Sequence, residues 1–510
     1  MDNQRESYYG LKQTVGLITG ILVSLIILFF FDLKPGNPQV TRTAAVAVLM
    51  AIWWLTEAIP IAATALLPVV LFPLLGIMKG KLVAATYYNH IIFLFIGGFI
   101  VALAMQKWNL HRRIALKIIL TVGISPKRLI LGFMVATAFL SMWISNTATT
   151  MMMVPIAMAI VLKLEETLPG KEISRFAVVL LIGIAYAASI GGMATLIGTP
   201  PNLAFSKIFQ TSFPHAPEIT FAQWFAFGLP ASIIFLMITW WVLTTFFMSK
   251  RNKINVDIKL FKEEYHHLGK MSYEEKIVMA LFIFLALSWL FRKSIVIGSF
   301  TIPGWTEIMP VSSFIDDGTI AISASLLLFL IPSRTKKRTR LMDWETANKL
   351  NWGIVVLFGG GFALAAGFKE SGLSVWLAQQ LTGLGGIPTI FMIAAICTLL
   401  TFLTELTSNT ATTQIILPLL ASLAVAIKIN PLLLMIPATL SASCAFMLPV
   451  ATPPNAIIFG TGEIKMKDMM QTGIVMNLIG IVLITTLIYL IGLPILHIDP
   501  SQFPSWAITK

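Results

Sequence analysis

Long apolar runs recur along the whole chain, and the short segments between them hold nearly all of its charge. A helix needs roughly 20 mainly apolar residues to cross the hydrocarbon core of a bilayer, so this pattern predicts an all-α polytopic membrane protein. Spans are expected near residues 14–31, 43–57, 60–77, 91–106, 175–208, 221–248, 276–291, 318–332, 351–368, 431–458 and 472–493. Two further segments, 128–163 and 388–427, are apolar at both ends and polar in the middle. Segment 128–163 fits either a pair of tight spans or a re-entrant helical hairpin with its tip at mid-membrane. The polar centre favours the hairpin, because non-helical backbone is tolerated at that depth only where protein buries it or water reaches it.

Charge sets the orientation of this threading. Lys107, Arg112, Arg113, Lys117, Lys127 and Arg128 form one basic cluster, Lys250, Arg251, Lys253, Lys259 and Lys262 a second, and Arg334, Lys336, Lys337, Arg338 and Arg340 a third. Basic loops beside spans mark the cytoplasmic side. With a cytoplasmic N-terminus every cluster falls inside, and the C-terminus falls outside. The first run follows mixed charge and lacks a small-residue cleavage site, so it reads as a retained helix. The net charge of +13 is confined to these loops, which argues against nucleic acid as a partner. The 510 residues are 57% hydrophobic and 12% charged, with a mean hydropathy of +0.85, leaving no room for a large soluble domain. No His-Glu-x-x-His, Gly-x-Ser-x-Gly or phosphate-binding glycine loop argues for an enzyme. Cys397 and Cys444 lie in apolar segments and read as small buried hydrophobes.

The polar centres repeat. Ser145-Asn146-Thr147-Ala148-Thr149-Thr150 returns 263 positions later as Ser408-Asn409-Thr410-Ala411-Thr412-Thr413, and Leu94-Phe95-Ile96-Gly97-Gly98-Phe99 returns at the same offset as Leu357-Phe358-Gly359-Gly360-Gly361-Phe362. Thr199-Pro200-Pro201-Asn202 returns as Thr452-Pro453-Pro454-Asn455, at a shorter offset. The threading gives the halves opposite orientations, an inverted repeat of the kind that builds carriers, with both tips near the midplane. Hydroxyls and amides in the tips can donate to a carboxylate or offer oxygen to a hard cation. Gly191-Gly192, Gly198-Thr199-Pro200 and Thr452-Pro453-Pro454 should break their helices and free carbonyls as ligands. Around both tips the only charged residue is Glu405, read as a paired buried carboxylate. A bare anion there is costly, so a mobile cation, sodium before protons, is expected to travel with it. Trp53-Trp54-Leu55-Thr56-Glu57 reads as an interfacial anchor, and His266 and His267 as solvated.

These motifs, with Trp53-Trp54-Leu55-Thr56-Glu57-Ala58-Ile59-Pro60 and residues 443–455, make the chain resemble the divalent-anion/sodium symporter family, in particular its bacterial sodium-coupled dicarboxylate carriers. The resemblance implies a homodimer of protomers with about eleven transmembrane helices and two re-entrant hairpins, working as an elevator. It divides the chain into residues 1–127 (scaffold helices and first arm), 128–248 (first hairpin and transport helices), 249–386 (cytoplasmic loop, scaffold helices and second arm) and 387–510 (second hairpin and transport helices). It implies one sodium at Ser141, Ser145, Asn146 and the Gly198 carbonyl, and a second at Thr404, Ser408, Asn409 and the backbone near Ala451. Substrate contacts carry over to Ser145, Asn146, Thr147, Ser408, Asn409 and Thr410, with Thr199, Thr452 and Pro453 nearby. The expected activity is sodium-coupled uptake of C4-dicarboxylates such as succinate, malate and fumarate, with no organic cofactor; sodium-independent exchange of dicarboxylates is the alternative within the family.

Overall fold

Apolar helices with very few strands build the structure, a computed structural model that describes residues 10–123, 125–165, 170–248, 259–297, 300–335 and 338–508. Lys250, Arg251 and Lys253 of the second basic cluster, and Lys336 and Lys337 of the third, lie outside the described residues. Among those described, nine helices are long and apolar enough to cross a membrane, and the pair Leu373–Gly386 and Thr389–Thr404 is bent by 118°. Three expected spans contain shorter helices, Ile61–Leu74, Asp317–Leu330 and Leu432–Ser441. The first of these is interrupted near Ala65 and carries Pro68 and Pro73, and the third stops where the chain unwinds at residue 442.

Helix Leu11–Phe30 packs on Pro38–Thr56 through Gly16 and Gly20, where a Cβ would lie 2.1 Å from Thr56 Oγ1 and 2.6 Å from the Trp53 ring. Its other faces expose leucine, isoleucine and phenylalanine, as a helix against lipid does. Trp54 is wholly buried and donates its indole N–H to Ile61 O at 3.1 Å. That corrects the reading of this tryptophan as an interfacial anchor: its one polar atom is satisfied inside the fold. Glu57 ends the helix in the left-handed region at φ 53°.

Helix Leu110–Val122 lies between Asn109 at φ 57° and Gly123 at φ 110°, and helix Leu373–Leu381 follows Gly372 at φ 78°. Arg113 anchors helix Leu110–Val122. It pairs with Glu275 at 3.0 Å and donates to the carbonyls of Leu268 and Gly269. At the same end of the fold Arg112 pairs with Glu264, and Lys107 with Asp343 at 2.6 Å. Lys107 holds the Asp343 carboxyl down to about 2. His266 and His267 are exposed, as expected.

The segment between helices Tyr273–Leu290 and Asp317–Leu330 contains a short antiparallel hairpin, Ile295–Ile297 against Phe300–Ile302, which the apolar pattern did not predict. Beside it Arg292 pairs with Glu218 at 2.8 Å and Asp317 at 2.6 Å, and Lys293 pairs with Glu218 at 2.6 Å. Burial works to raise the Glu218 carboxyl, but Arg292 and Lys293 outweigh it and hold it low.

Two buried apolar clusters organise the rest. The smaller joins helices Pro38–Thr56, Leu67–Leu74 and Trp352–Glu370 and reaches Ala411. Within it the glycine run Gly359-Gly360-Gly361 lets three partners come close: a Cβ would lie 2.0 Å from Tyr87, 2.4 Å from Ala65 O and 2.4 Å from Gln414. The Gln414 amide is buried there with neither of its polar atoms hydrogen-bonded.

Candidate functional site

Each polar centre is a break between two helices that fold back on one another. In the first half these are Pro126–Ser141 and Asn146–Glu165; in the second, Thr389–Thr404 and Asn409–Ala426. The second leg starts the same way both times. Ser145 Oγ accepts from Ala148 N at 3.3 Å, and Ser408 Oγ accepts from Ala411 N at 3.5 Å, so each serine caps a helix N-terminus whose amides it helps to satisfy.

The unwound segments follow the same logic. Helix Gly170–Gly192 stops at its glycine pair, and the chain resumes as helix Pro200–Ser212 behind Thr199. Helix Leu432–Ser441 stops before residue 442 and resumes as Pro453–Phe459 behind Thr452. One asparagine clamps each break. Asn202 Nδ2 donates to Thr195 O at 2.7 Å and Gly192 O at 3.3 Å; Asn455 Nδ2 donates to Leu448 O at 3.0 Å and Ala445 O at 3.1 Å. Donor and acceptors are all displaced by 253 positions, so the duplication seen in the residues extends to individual hydrogen bonds.

Break and tip meet in the first half around Asn146. Its side-chain amide approaches Ser141 Oγ at 2.6 Å, Ala188 O at 3.2 Å and Gly198 O at 3.3 Å. With its nitrogen turned inward it donates to all three; with its oxygen inward it joins three other oxygens, the donor set of a hard cation. Ser141 Oγ also donates to Ala188 O at 2.7 Å. Glycine is required beside this cluster, since a Cβ on Gly192 would lie 2.8 Å from Asn146 Oδ1 and 3.0 Å from Gly198 O. Thr195 ties break to tip, donating to Met142 O at 2.6 Å and accepting from Gly198 N at 2.9 Å.

In the second half Asn409 Oδ1 is buried with no hydrogen-bond partner. Thr404 is wholly buried and its hydroxyl bonds back to Leu400 O at 3.0 Å, while Ala451 ends a short 3-10 turn directly before Thr452. Glu405, expected to be ion-paired, has no cationic partner among the described residues. Its carboxylate instead accepts from Phe446 N at 2.7 Å, Met447 N at 2.9 Å, Leu448 N at 3.0 Å and Asn477 Nδ2 at 2.8 Å. Converging amides can satisfy a carboxylate as a cation would, which is why charge pairing alone misread it.

The halves also interlock. Helix Pro200–Ser212 packs on Asn409–Ala426, and Pro453–Phe459 packs on Asn146–Glu165. Tyr186 Oη donates to Phe446 O at 2.7 Å, fastening the long helix of one half to the break of the other. Thr147, Ser145 and Asn146 are half-buried, Thr199, Thr410 and Thr452 buried, and Pro453 exposed. Among the described residues no lysine or arginine bonds to any of them. Lys207, eight positions beyond Thr199 on the same helix, stands about 12 Å further along it. An open cavity of about 1010 Å³ lies away from the tips. His215, Lys369, Ser422 and Trp506 line it at the far ends of helices Pro200–Ser212 and Asn409–Ala426. Sequence reasoning missed the Ala188 carbonyl, which carries no side-chain signature, and read Asn202 and Asn455 only as parts of a break.

A duplicated set of broken helices and paired hairpins, with neutral oxygens and amides at its centre, defines a multi-pass membrane transporter. The family profile described as the sodium:sulfate symporter transmembrane region matches residues 11–498, and the chain belongs to this family. Among its relatives, a Staphylococcus saprophyticus protein named sodium-dependent dicarboxylate transporter SdcS is 45% identical over 98% of this chain and 95% of its own length. A protein of the same name from Staphylococcus aureus is 46% identical over the same shares. The crystal structure of the Alcanivorax borkumensis YdaH transporter shares the fold, with a TM-score of 0.58 and 14% identity over 93% of this chain and 98% of the other.

Proposed function

We propose that the protein imports C4-dicarboxylates such as succinate, malate and fumarate by coupling them to sodium. The oxygen cluster at Asn146 carries this reading: a site of neutral oxygens and amides without a fixed cation holds a dianion only if mobile cations enter with it. The names of the SdcS relatives support both halves of the reading. The first sodium is assigned to Ser141, Ser145, Asn146 and the Gly198 carbonyl, to which the structure adds Ala188 O as a neighbour. The second is assigned to Thr404, Ser408, the unpartnered Asn409 Oδ1 and the Ala451 backbone. Substrate carboxylates take Asn146 and Thr147 on one side and Asn409 and Thr410 on the other, with Thr199, Thr452 and Pro453 beside them.

Leg Pro126–Ser141 has 16 residues and rises about 24 Å, short of the roughly 30 Å core. Its tip therefore ends within the bilayer, as a re-entrant hairpin does. We assign residues 128–248 and 387–510 to a body that moves as an elevator against the remaining scaffold in a homodimer. Uptake of labelled succinate into proteoliposomes, in sodium against choline, tests the reading. Sodium should be required, and Asn146→Ala or Asn409→Ala should reduce uptake to background while the protein elutes as folded. Equal uptake in both buffers refutes sodium coupling, and a requirement for internal dicarboxylate makes the protein an exchanger.

A further inference from the structure

The two halves build the same clamp but tie it to the hairpin with different chemistry. In the first half a neutral bond does this, from Thr195 Oγ1 to Met142 O. The position equivalent to Met142, 263 residues on, is Glu405, and here a carboxylate gathers the three successive amides of Phe446, Met447 and Leu448. Asn477 supplies a further donor from helix Met466–Leu487. That helix comes close enough to do so because Gly473, one turn earlier, has no side chain: a Cβ there would lie 2.4 Å from Met447 Cα and 2.5 Å from Phe446 O. Glu405 is buried and adjoins Thr404 in sequence, three positions before Ser408.

We propose that Glu405 is the positioning residue of the second cation site, holding the unwound segment against the tip and making that site bind cation more tightly than its counterpart in the first half. The inference rests on the sodium reading above. When ionised, the carboxylate accepts all four donors, and a buried charge with no cationic partner among the described residues favours a cation nearby far more than water would allow. The first half has only dipoles at the matching place. Apo protein would therefore fill the site at Asn409 first. That occupancy completes one side of the substrate pocket before the other.

The test uses the purified full-length protein in detergent, without substrate, and follows its melting temperature as sodium chloride replaces choline chloride at constant ionic strength. Asn146→Ala leaves the second site to be read alone and Asn409→Ala the first. The Asn146→Ala protein should half-saturate at about tenfold lower sodium than the Asn409→Ala protein, the factor one well-placed charge-assisted contact commonly contributes. Adding Glu405→Gln to Asn146→Ala should raise that half-saturation about tenfold or more, while adding it to Asn409→Ala should leave the titration in place. An unchanged titration in the first combination overturns the proposal. Should Glu405→Gln fail to fold, Glu405→Asp in the Asn146→Ala background carries the test: it keeps the charge but shortens the reach by one methylene. A rise of about threefold supports the tie, and an unaltered titration overturns it. If sodium does not stabilise the unmutated protein at all, the sodium reading itself fails, a result seen before any Glu405 variant is made.

Discussion

Asn202 and Asn455 hold open two stretches of backbone that a helix would otherwise close. Each amide nitrogen reaches carbonyls that have lost their helical donors. Removing either side chain leaves buried acceptors unsatisfied, at about 1–3 kcal/mol. Asn202→Ala and Asn455→Ala should therefore lower the melting temperature by similar amounts in size and direction; a drop in only one would show that the clamps are not equivalent. Gly192 makes a sharper residue-scale test. A methyl group there meets Asn146 and the Gly198 carbonyl together, and overpacking of this kind typically costs about 1–3 kcal/mol. Gly192→Ala should abolish sodium-dependent uptake, whereas Gly383→Ala, with no atom within 4 Å of the new Cβ, should retain it.

At the scale of elements, the end of helix His90–Lys107 is joined to the turn before Trp344–Ala347 by Lys107 and Asp343. The Asp343 carboxyl is depressed from its ordinary 3.8 to about 2. The unfolded chain therefore takes up its proton first as pH falls. The stabilisation is complete above about 3.8 and is lost on acidification through about 2. Asp343→Asn should flatten the fall in melting temperature over that window, measured beside the unmutated protein; identical acid profiles would mean that this exposed pair contributes nothing. The breaks at Gly191-Gly192 and at the Thr-Pro-Pro-Asn motifs were legible because glycine and proline act on their own backbone. What surrounds a break was less legible. Glu405 finds amides more than 40 positions away, and nothing in a linear pattern distinguishes them from other apolar residues. The strands at Ile295–Ile297 and Phe300–Ile302 were hidden because three residues are too few for a recognisable alternation.

For the whole molecule, the duplication interlocks its two halves, since the resumed helix of each half packs on the hairpin of the other. A carrier of a dianion with more than two sodium ions moves net positive charge inward, gaining about 2.3 kcal/mol per charge per 100 mV. Imposing an inside-negative potassium diffusion potential on proteoliposomes should accelerate succinate uptake, and an unaltered rate would require an electroneutral stoichiometry. The contact of Gln414 with the glycine run of helix Trp352–Glu370 bears on how such a carrier moves. The amide rests on a surface without side chains and makes no hydrogen bond there. Under the elevator reading proposed above, the hairpin leg leaves this helix without breaking any hydrogen bond of the Gln414 side chain. Water reaching the Gln414 amide after that departure would satisfy two buried polar atoms and so reward the step away.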